Sequence, residues 1–197
     1  MKVGVLGLQG DVPEHIAAVS ELLGPRSALS VRSLGDLETV DALLLPGGES
    51  TTIADLLQRI GLWTPLKDRI ADGLPVLATC AGMILLSSRL DPVPGGRDPP
   101  TMGPLEIDVR RNDYGSQRES FEAPVRVNGL TGGPFPGVFI RAPRILKVRG
   151  STKTIARRGE EIVGVRRGDV VGLSFHPELS GDPRLLAWFL RETVSSR

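Results

Sequence analysis

An open α/β sheet, mainly parallel or mixed and flanked by helices on both faces, is the fold class that this 197-residue sequence predicts. Two observations carry it. Short, continuously apolar runs such as "KVGVLGL" (Lys2–Leu8), "ALLL" (Ala42–Leu45) and "PVLAT" (Pro75–Thr79) alternate with segments of helical periodicity, the pattern of strands covered on both faces. Each run also ends in residues suited to tight turns or chemistry rather than to packing: Gln9-Gly10, Gly47-Gly48-Glu49-Ser50 and Cys80. In an open α/β sheet, ligands gather outside the carboxyl ends of the strands.

The elements follow in order. Lys2–Leu8 reads as a buried strand running into the turn Gln9-Gly10-Asp11. Pro13 opens a helix through Leu23, with Ile16, Val19, Leu22 and Leu23 on one face. A weaker strand covers Leu29–Leu34, and Ala42–Leu45 is a third. Helices are expected at Thr51–Ile60 and Pro65–Asp72, and a fourth strand at Pro75–Thr79. A helix-like run, Met83–Leu86, follows Cys80. The segment Asp91–Pro104 is rich in proline and glycine and reads as an exposed loop. Beyond it the chain is β-rich, at Leu105–Arg110, Ala123–Val127, Gly137–Arg141, Ile145–Val148, Ile162–Arg166 and Val170–Phe175. Arg167-Gly168-Asp169 joins the last two as a hairpin turn. A helix over Asp182–Thr193 closes the chain, with Leu185, Leu186, Phe189 and Leu190 as its apolar stripe.

Composition narrows the function classes. Twenty-four Lys and Arg against 23 Asp and Glu leave a net charge of +1, so no broad field draws the chain to nucleic acid or an anionic membrane. One cysteine excludes an internal disulfide and a multi-thiolate metal site. The first residues enter a strand at once, without the basic and apolar regions of a signal peptide. No apolar run approaches the ~18 residues of a spanning helix. The expectation is one domain over residues 1–197, in a reducing cytoplasm.

The only thiol, Cys80, stands between a strand and a helix, flanked by Thr79 and Ala81-Gly82. A buried cysteine filling a core is the plain reading of such a residue. "SFHPE" offers another. His176 follows the last long strand run, and Glu178, two residues on, is placed to reach around Pro177 to one imidazole nitrogen, leaving the other to face a thiol. A thiolate is the effective nucleophile, a neighbouring imidazolium favours it, and a carboxylate behind the imidazole fixes its tautomer. Taken alone, His-Pro-Glu is also compatible with a capped turn before a helix. The other histidine, His15, lies within the first helix beside Glu14, where a solvated or interface position is expected. Gly47-Gly48 brings backbone N–H groups close to a substrate, as an oxyanion hole requires. The same residues also suit a tight βα turn in which Ser50 or Thr51 caps the next helix. Gly4, Gly7 and Gly10 are spaced G-x-x-G-x-x-G and lack the acidic residue of a dinucleotide site, so that reading is rejected.

Six stretches in order resemble one family: "GVLGLQGDVPEH" (Gly4–His15), "LPGGESTT" (Leu45–Thr52), "TCAGMILL" (Thr79–Leu86), "RNDYGSQRESFE" (Arg111–Glu122), "VFIRAP" (Val138–Pro143) and "FHPELSGDPR" (Phe175–Arg184). The chain is similar to the class I (triad) glutamine amidotransferases, and within them to the glutaminase-subunit family of two-component pyridoxal 5′-phosphate synthases. The resemblance implies a Cys80–His176–Glu178 triad that hydrolyses L-glutamine to glutamate and ammonia through a γ-glutamyl thioester. It implies glutamine contacts from Gly48, Glu49, Ser50, Arg111, Ile140 and Arg141, and an oxyanion hole from Gly48 and Ala81. It implies a (β/α)8 synthase subunit as partner, which joins the ammonia to two sugar phosphates, with neither a cofactor nor a metal on this chain. Partner docking near Gln9 and His15 would complete the oxyanion hole. Tyr114 stands where the family commonly has Phe, and Ser116 where it has a second arginine, which removes a cation. Competing expectations are another elbow-cysteine hydrolase, such as a PfpI-like peptidase or a γ-glutamyl hydrolase, and a catalytically silent partner subunit.

Overall fold

Five parallel strands form the middle of the molecule: β1 (Val3–Leu6), β2 (Ala28–Val31), β3 (Ala42–Leu45), β4 (Val76–Thr79) and β12 (Val170–Leu173). The computed structural model describes residues 1–92, 97–111 and 120–194. The sheet runs β2-β1-β3-β4-β12 and continues antiparallel through β11 (Glu161–Arg167), β10 (Lys153–Arg158), β7 (Phe121–Val127) and β8 (Phe135–Phe139). A smaller sheet pairs β5 (Ser87–Asp91) in parallel with β6 (Leu105–Arg110), and β6 antiparallel with β9 (Arg144–Val148).

Every residue of β1, β3, β4 and β12 is buried, which is why their sequences are apolar without alternation. Alternate side chains feed two cores. Leu43, Leu45, Val76 and Ala78 pack on one face beneath α3 (Ser50–Arg59), α4 (Trp63–Ala71), α5 (Ala81–Leu86) and the small sheet. Ala42, Leu44, Leu77 and Leu173 pack on the other, against α1 (Val12–Leu23) and α6 (Arg184–Thr193). Phe135 and Phe139 close on Phe175 in that second core, with ring centroids 5.9 and 5.6 Å away. This fixes the chain immediately before His176.

Several expectations change. The weak second strand stops at Val31, because Ser33 and Asp36 form a reciprocal capping box that starts α2 (Leu34–Glu38). β5 and β10 were not expected. β5 is the polar "SSRLD", and β10 is half-exposed with an irregular register at Ala156, so pairing, not an apolar run, defines both. The 91–104 loop is not wholly exposed: Met102 is buried and its N–H donates to Leu85 O at 2.7 Å. Its residues 93–96 lie outside the described residues, as do Tyr114 and Ser116. No helix among the described residues is long and apolar enough to cross a membrane.

Candidate active site

The strand ends converge as the sequence leads one to expect. β4 ends at Thr79, and Cys80 turns the chain with φ 47° and ψ −104°, a conformation that L residues rarely adopt. Its N–H still donates to Leu173 O at 2.8 Å, while its carbonyl accepts from Ile84 N–H at 3.2 Å as the first bond of α5. The turn is possible because Gly82 has no Cβ; one there would collide with the Leu45 carbonyl. Cys80 is therefore presented at a strained strand-to-helix elbow, with Sγ 4.0 Å from Ile140 O.

His176 is anchored by its N–H to Val138 O at 2.8 Å, a bond to β8. Its Nδ1 lies 2.7 Å from Glu178 Oε1, in a short 3-10 turn over Pro177–Leu179, and 3.1 Å from Asp11 Oδ2. Burial, the largest single influence, pushes the His176 pKa down. Hydrogen bonding with Asp11, Cys80 and Glu178 outweighs it and raises the pKa to about 12, which favours the imidazolium. Asp11 is held below the usual carboxylate range, chiefly by its hydrogen bond to His176.

A cleft of about 310 Å³ opens onto these groups. Its walls include Gly48, Glu49, Ser50, Cys80, Arg111, Ile140, Arg141 and His176, together with Gln9, Gly10, Asp11 and Ile84. Of the expected site residues, Glu178 and Ala81 do not line it: Glu178 lies behind His176, and Ala81 is buried at the first position of α5. A larger cavity, about 670 Å³, opens at the other ends of β4 and β12 among Lys67, Met102 and Arg167, and has no thiol or imidazole in its lining. Of these two, the smaller holds the thiol and the His176 imidazole.

Two glycines shape the wall. A Cβ on Gly47 would strike the His176 ring, and one on Gly10 would strike the Gly47 carbonyl. Gly47 O accepts Asp11 N–H at 3.3 Å, and Glu49 N–H donates to Gln9 Oε1 at 2.8 Å, so the loops after β1 and β3 are joined. The cap of α3 is Glu49, not Ser50 or Thr51: its Oε2 accepts Thr52 N–H at 2.8 Å. Its other oxygen, Oε1, takes Arg111 at 3.2 Å, and Arg111 also donates to Arg97 O at 2.9 Å.

The sequence reading missed Asp11 and misplaced His15. Asp11 had a usable signal, since it belongs to the turn after β1, one of the converging strand ends. His15 is not solvated: it is 2% exposed, because α1 turns His15 and Val19, four residues apart, toward the sheet and leaves Leu23 outside. His15 Nε2 lies 3.3 Å from Thr79 Oγ1 and 3.5 Å from Glu178 Oε2. Asp11, His176 and Glu178 bring three donor atoms within 4.8 Å, a spacing that a metal ion could use. It is equally the geometry of one Nδ1–H shared between two carboxylates, and the raised His176 pKa favours that proton.

A thiol at a strained elbow, an imidazole backed by a carboxylate and a glycine-lined loop thus meet at the ends of the parallel strands. A solved structure described as a glutamine amidotransferase matches 98% of the chain and 99% of its own length, with a TM-score of 0.88 and 43% identity. The chain belongs to the SNO glutamine amidotransferase family, whose profile matches residues 5–195. Two relatives, each named pyridoxal 5′-phosphate synthase subunit PdxT, cover it almost end to end. That of Geobacillus thermodenitrificans is 48% identical over 100% of both chains. That of Thermococcus onnurineus is 46% identical over 98% of this chain and 100% of its own.

Proposed function

We propose that the chain, as one glutaminase domain over residues 1–197, hydrolyses L-glutamine and passes the ammonia to a pyridoxal 5′-phosphate synthase subunit. The observation that carries the chemistry is the only thiol, held at a strained elbow beside an imidazole whose far nitrogen is 2.7 Å from a buried carboxylate. The end-to-end similarity to relatives named as synthase subunits supports the pathway.

Cys80 Sγ attacks the side-chain carboxamide carbon of glutamine, and His176 holds the thiol proton. The C–N bond then breaks, His176 gives that proton to the leaving nitrogen, and ammonia departs from a γ-glutamyl thioester. Water next loses a proton to His176 and attacks the thioester carbon. Glutamate leaves and the thiol is restored. Glu178 orients the imidazole and balances its charge. Gly48 and Ala81 offer N–H groups to the oxyanion, Ala81 from the first turn of α5, where N–H groups have no partner in the helix. Glu49, Ser50, Arg111, Ile140 and Arg141 bind the rest of the substrate. Arg111 already pairs with Glu49, so the two form a ready match for the α-carboxylate and α-ammonium groups of one amino acid.

The test is to quench the chain in acid during turnover of glutamine with the synthase present, then examine the Cys80 peptide by mass spectrometry. A glutamyl group on that peptide is expected. Its absence under conditions where glutamate is released would remove Cys80 as the nucleophile.

A further inference from the structure

We propose that His15 is a positioning residue: its Nε2–H holds the second oxygen of Glu178 and so fixes the carboxylate that orients His176. This rests on the triad reading above. The Glu178 side chain is 1% exposed, and its Oε1 is taken by His176. Its Oε2 has no hydrogen-bond partner among the described residues. A buried carboxylate oxygen without a donor is costly, so a group facing it needs explanation. What faces it is His15 Nε2, at 3.5 Å.

The surrounding network decides which His15 nitrogen carries the proton. Nε2 also lies 3.3 Å from Thr79 Oγ1, and that hydroxyl is 3.5 Å from Leu45 O, which only accepts. Donation of the Thr79 proton to Leu45 O leaves Oγ1 as an acceptor. Glu178 Oε2 is an acceptor too. With two acceptors around it, Nε2 must be the donor. A cleft of about 240 Å³, lined by Glu14, His15, Ala18, Glu178 and Leu186 among others, leaves space for the imidazole to close on Oε2. Such bonds often tighten only once substrate is bound.

The donor must also be neutral, because a second imidazolium would compete with His176 for the charge of Glu178. The charged and titratable groups around His15 are Glu14 on its own helix, Asp11 in the preceding turn, and His176 and Glu178 from the segment after β12. Burial is the largest influence and, together with the charge of His176, outweighs the three carboxylates, holding the His15 pKa below the ordinary value. His15 thus supplies a hydrogen bond without supplying a charge.

The experiment compares His15→Leu, which removes the donor, with His15→Gln, which can return one near the Nε2 position. Glutamine turnover is measured with the synthase subunit present. Alkylation of Cys80 by iodoacetamide is followed against pH on the purified chain, where Cys80 is the only thiol. His15→Leu should lower kcat about ten-fold at unchanged KM, the effect of losing a donor to a buried carboxylate. Its alkylation profile should differ from that of the native chain, with slower alkylation near neutral pH, because a carboxylate that has lost its donor no longer holds the imidazole toward the thiol. His15→Gln should restore both. A folded His15→Leu with unaltered kcat and profile would overturn the proposal, as would His15→Gln impaired as badly as His15→Leu. If His15→Leu does not fold, His15→Gln decides: retained rate and profile support the role, and their loss overturns it. The triad reading itself fails on a different result, glutamate release that survives Cys80→Ser.

Discussion

His176 Nδ1 stands between two carboxylates of unequal standing. Glu178 is 2.7 Å away with its side chain 1% exposed, whereas Asp11 is 3.1 Å away and 33% exposed. Water screens Asp11, so the two should differ in function. Glu178→Gln should lower kcat on the order of 10²–10⁴-fold with little change in KM, since the amide keeps a hydrogen bond but loses the charge. Asp11→Asn should cost no more than about five-fold. Steady-state kinetics with the synthase present separates the two, and a larger loss in Asp11→Asn would exchange their roles. The buried histidine gives a pH dependence of known sign. The His15 pKa is lower in the folded chain than the ordinary ~6.5, so the unfolded chain binds the proton more readily. The stability due to a neutral His15 is present above that ordinary value and is lost as pH falls from it through the folded pKa. The thermal stability of the native chain should therefore fall below about pH 6.5, and less steeply in His15→Gln. Equal slopes in both proteins would show that His15 titrates alike folded and unfolded.

Among the elements, the elbow depends most on one absent side chain. Gly82→Ala places a methyl against the Leu45 carbonyl, which belongs to β3 and has little freedom to yield. Overpacking of this kind costs about 1–3 kcal/mol. For a chain of this length the Tm should fall by roughly 2–12 °C. Gly35→Ala is the control: it lies in α2 and a Cβ there meets only Ser33 Oγ at 3.9 Å, so the change should be neutral or slightly stabilising. Calorimetry of both variants checks the pair. The parallel strands β1, β3, β4 and β12 were legible in the sequence because burial on both faces leaves an unbroken apolar run. α2, β5 and β10 were not, because a capping box and cross-strand pairing define them instead. Cys80, His176 and Glu178 could be placed together because their neighbours mark strand ends. His15 is missed because it is polar, although helical spacing sets it on the packed face of α1, four residues before Val19 and seven before Leu22.

At the scale of the whole molecule, the loops after β1 and β3 are one mechanical unit. Asp11 N–H bonds Gly47 O, Gln9 bonds Glu49 N–H, and α1 carries His15 to the back of Glu178. A partner that presses on the first strand and helix would therefore reach the Gly47-Gly48 loop and the proposed triad together. The isolated chain should hydrolyse glutamine slowly, and the synthase subunit should accelerate it. Gly48→Ala should depress the accelerated rate by about 10²–10³-fold, the usual effect of losing an oxyanion donor, while leaving assembly nearly intact. Gly48 has φ +148° and abuts the Gln9 side chain, so a methyl there disturbs the loop directly. Full activity from the isolated chain, unchanged by the synthase, would contradict this coupling.

The central claim is that the chain exists to release ammonia at Cys80 for a synthase to use. The most direct measurement is pyridoxal 5′-phosphate formation by the assembled complex, with either glutamine or an ammonium salt as the nitrogen source, for the native chain and for Cys80→Ser. Cys80→Ser should abolish synthesis from glutamine and leave synthesis from ammonium unchanged, because external ammonium bypasses the thioester. Glutamine-dependent synthesis that persists in Cys80→Ser, or ammonium-dependent synthesis that is lost along with it, would contradict the claim.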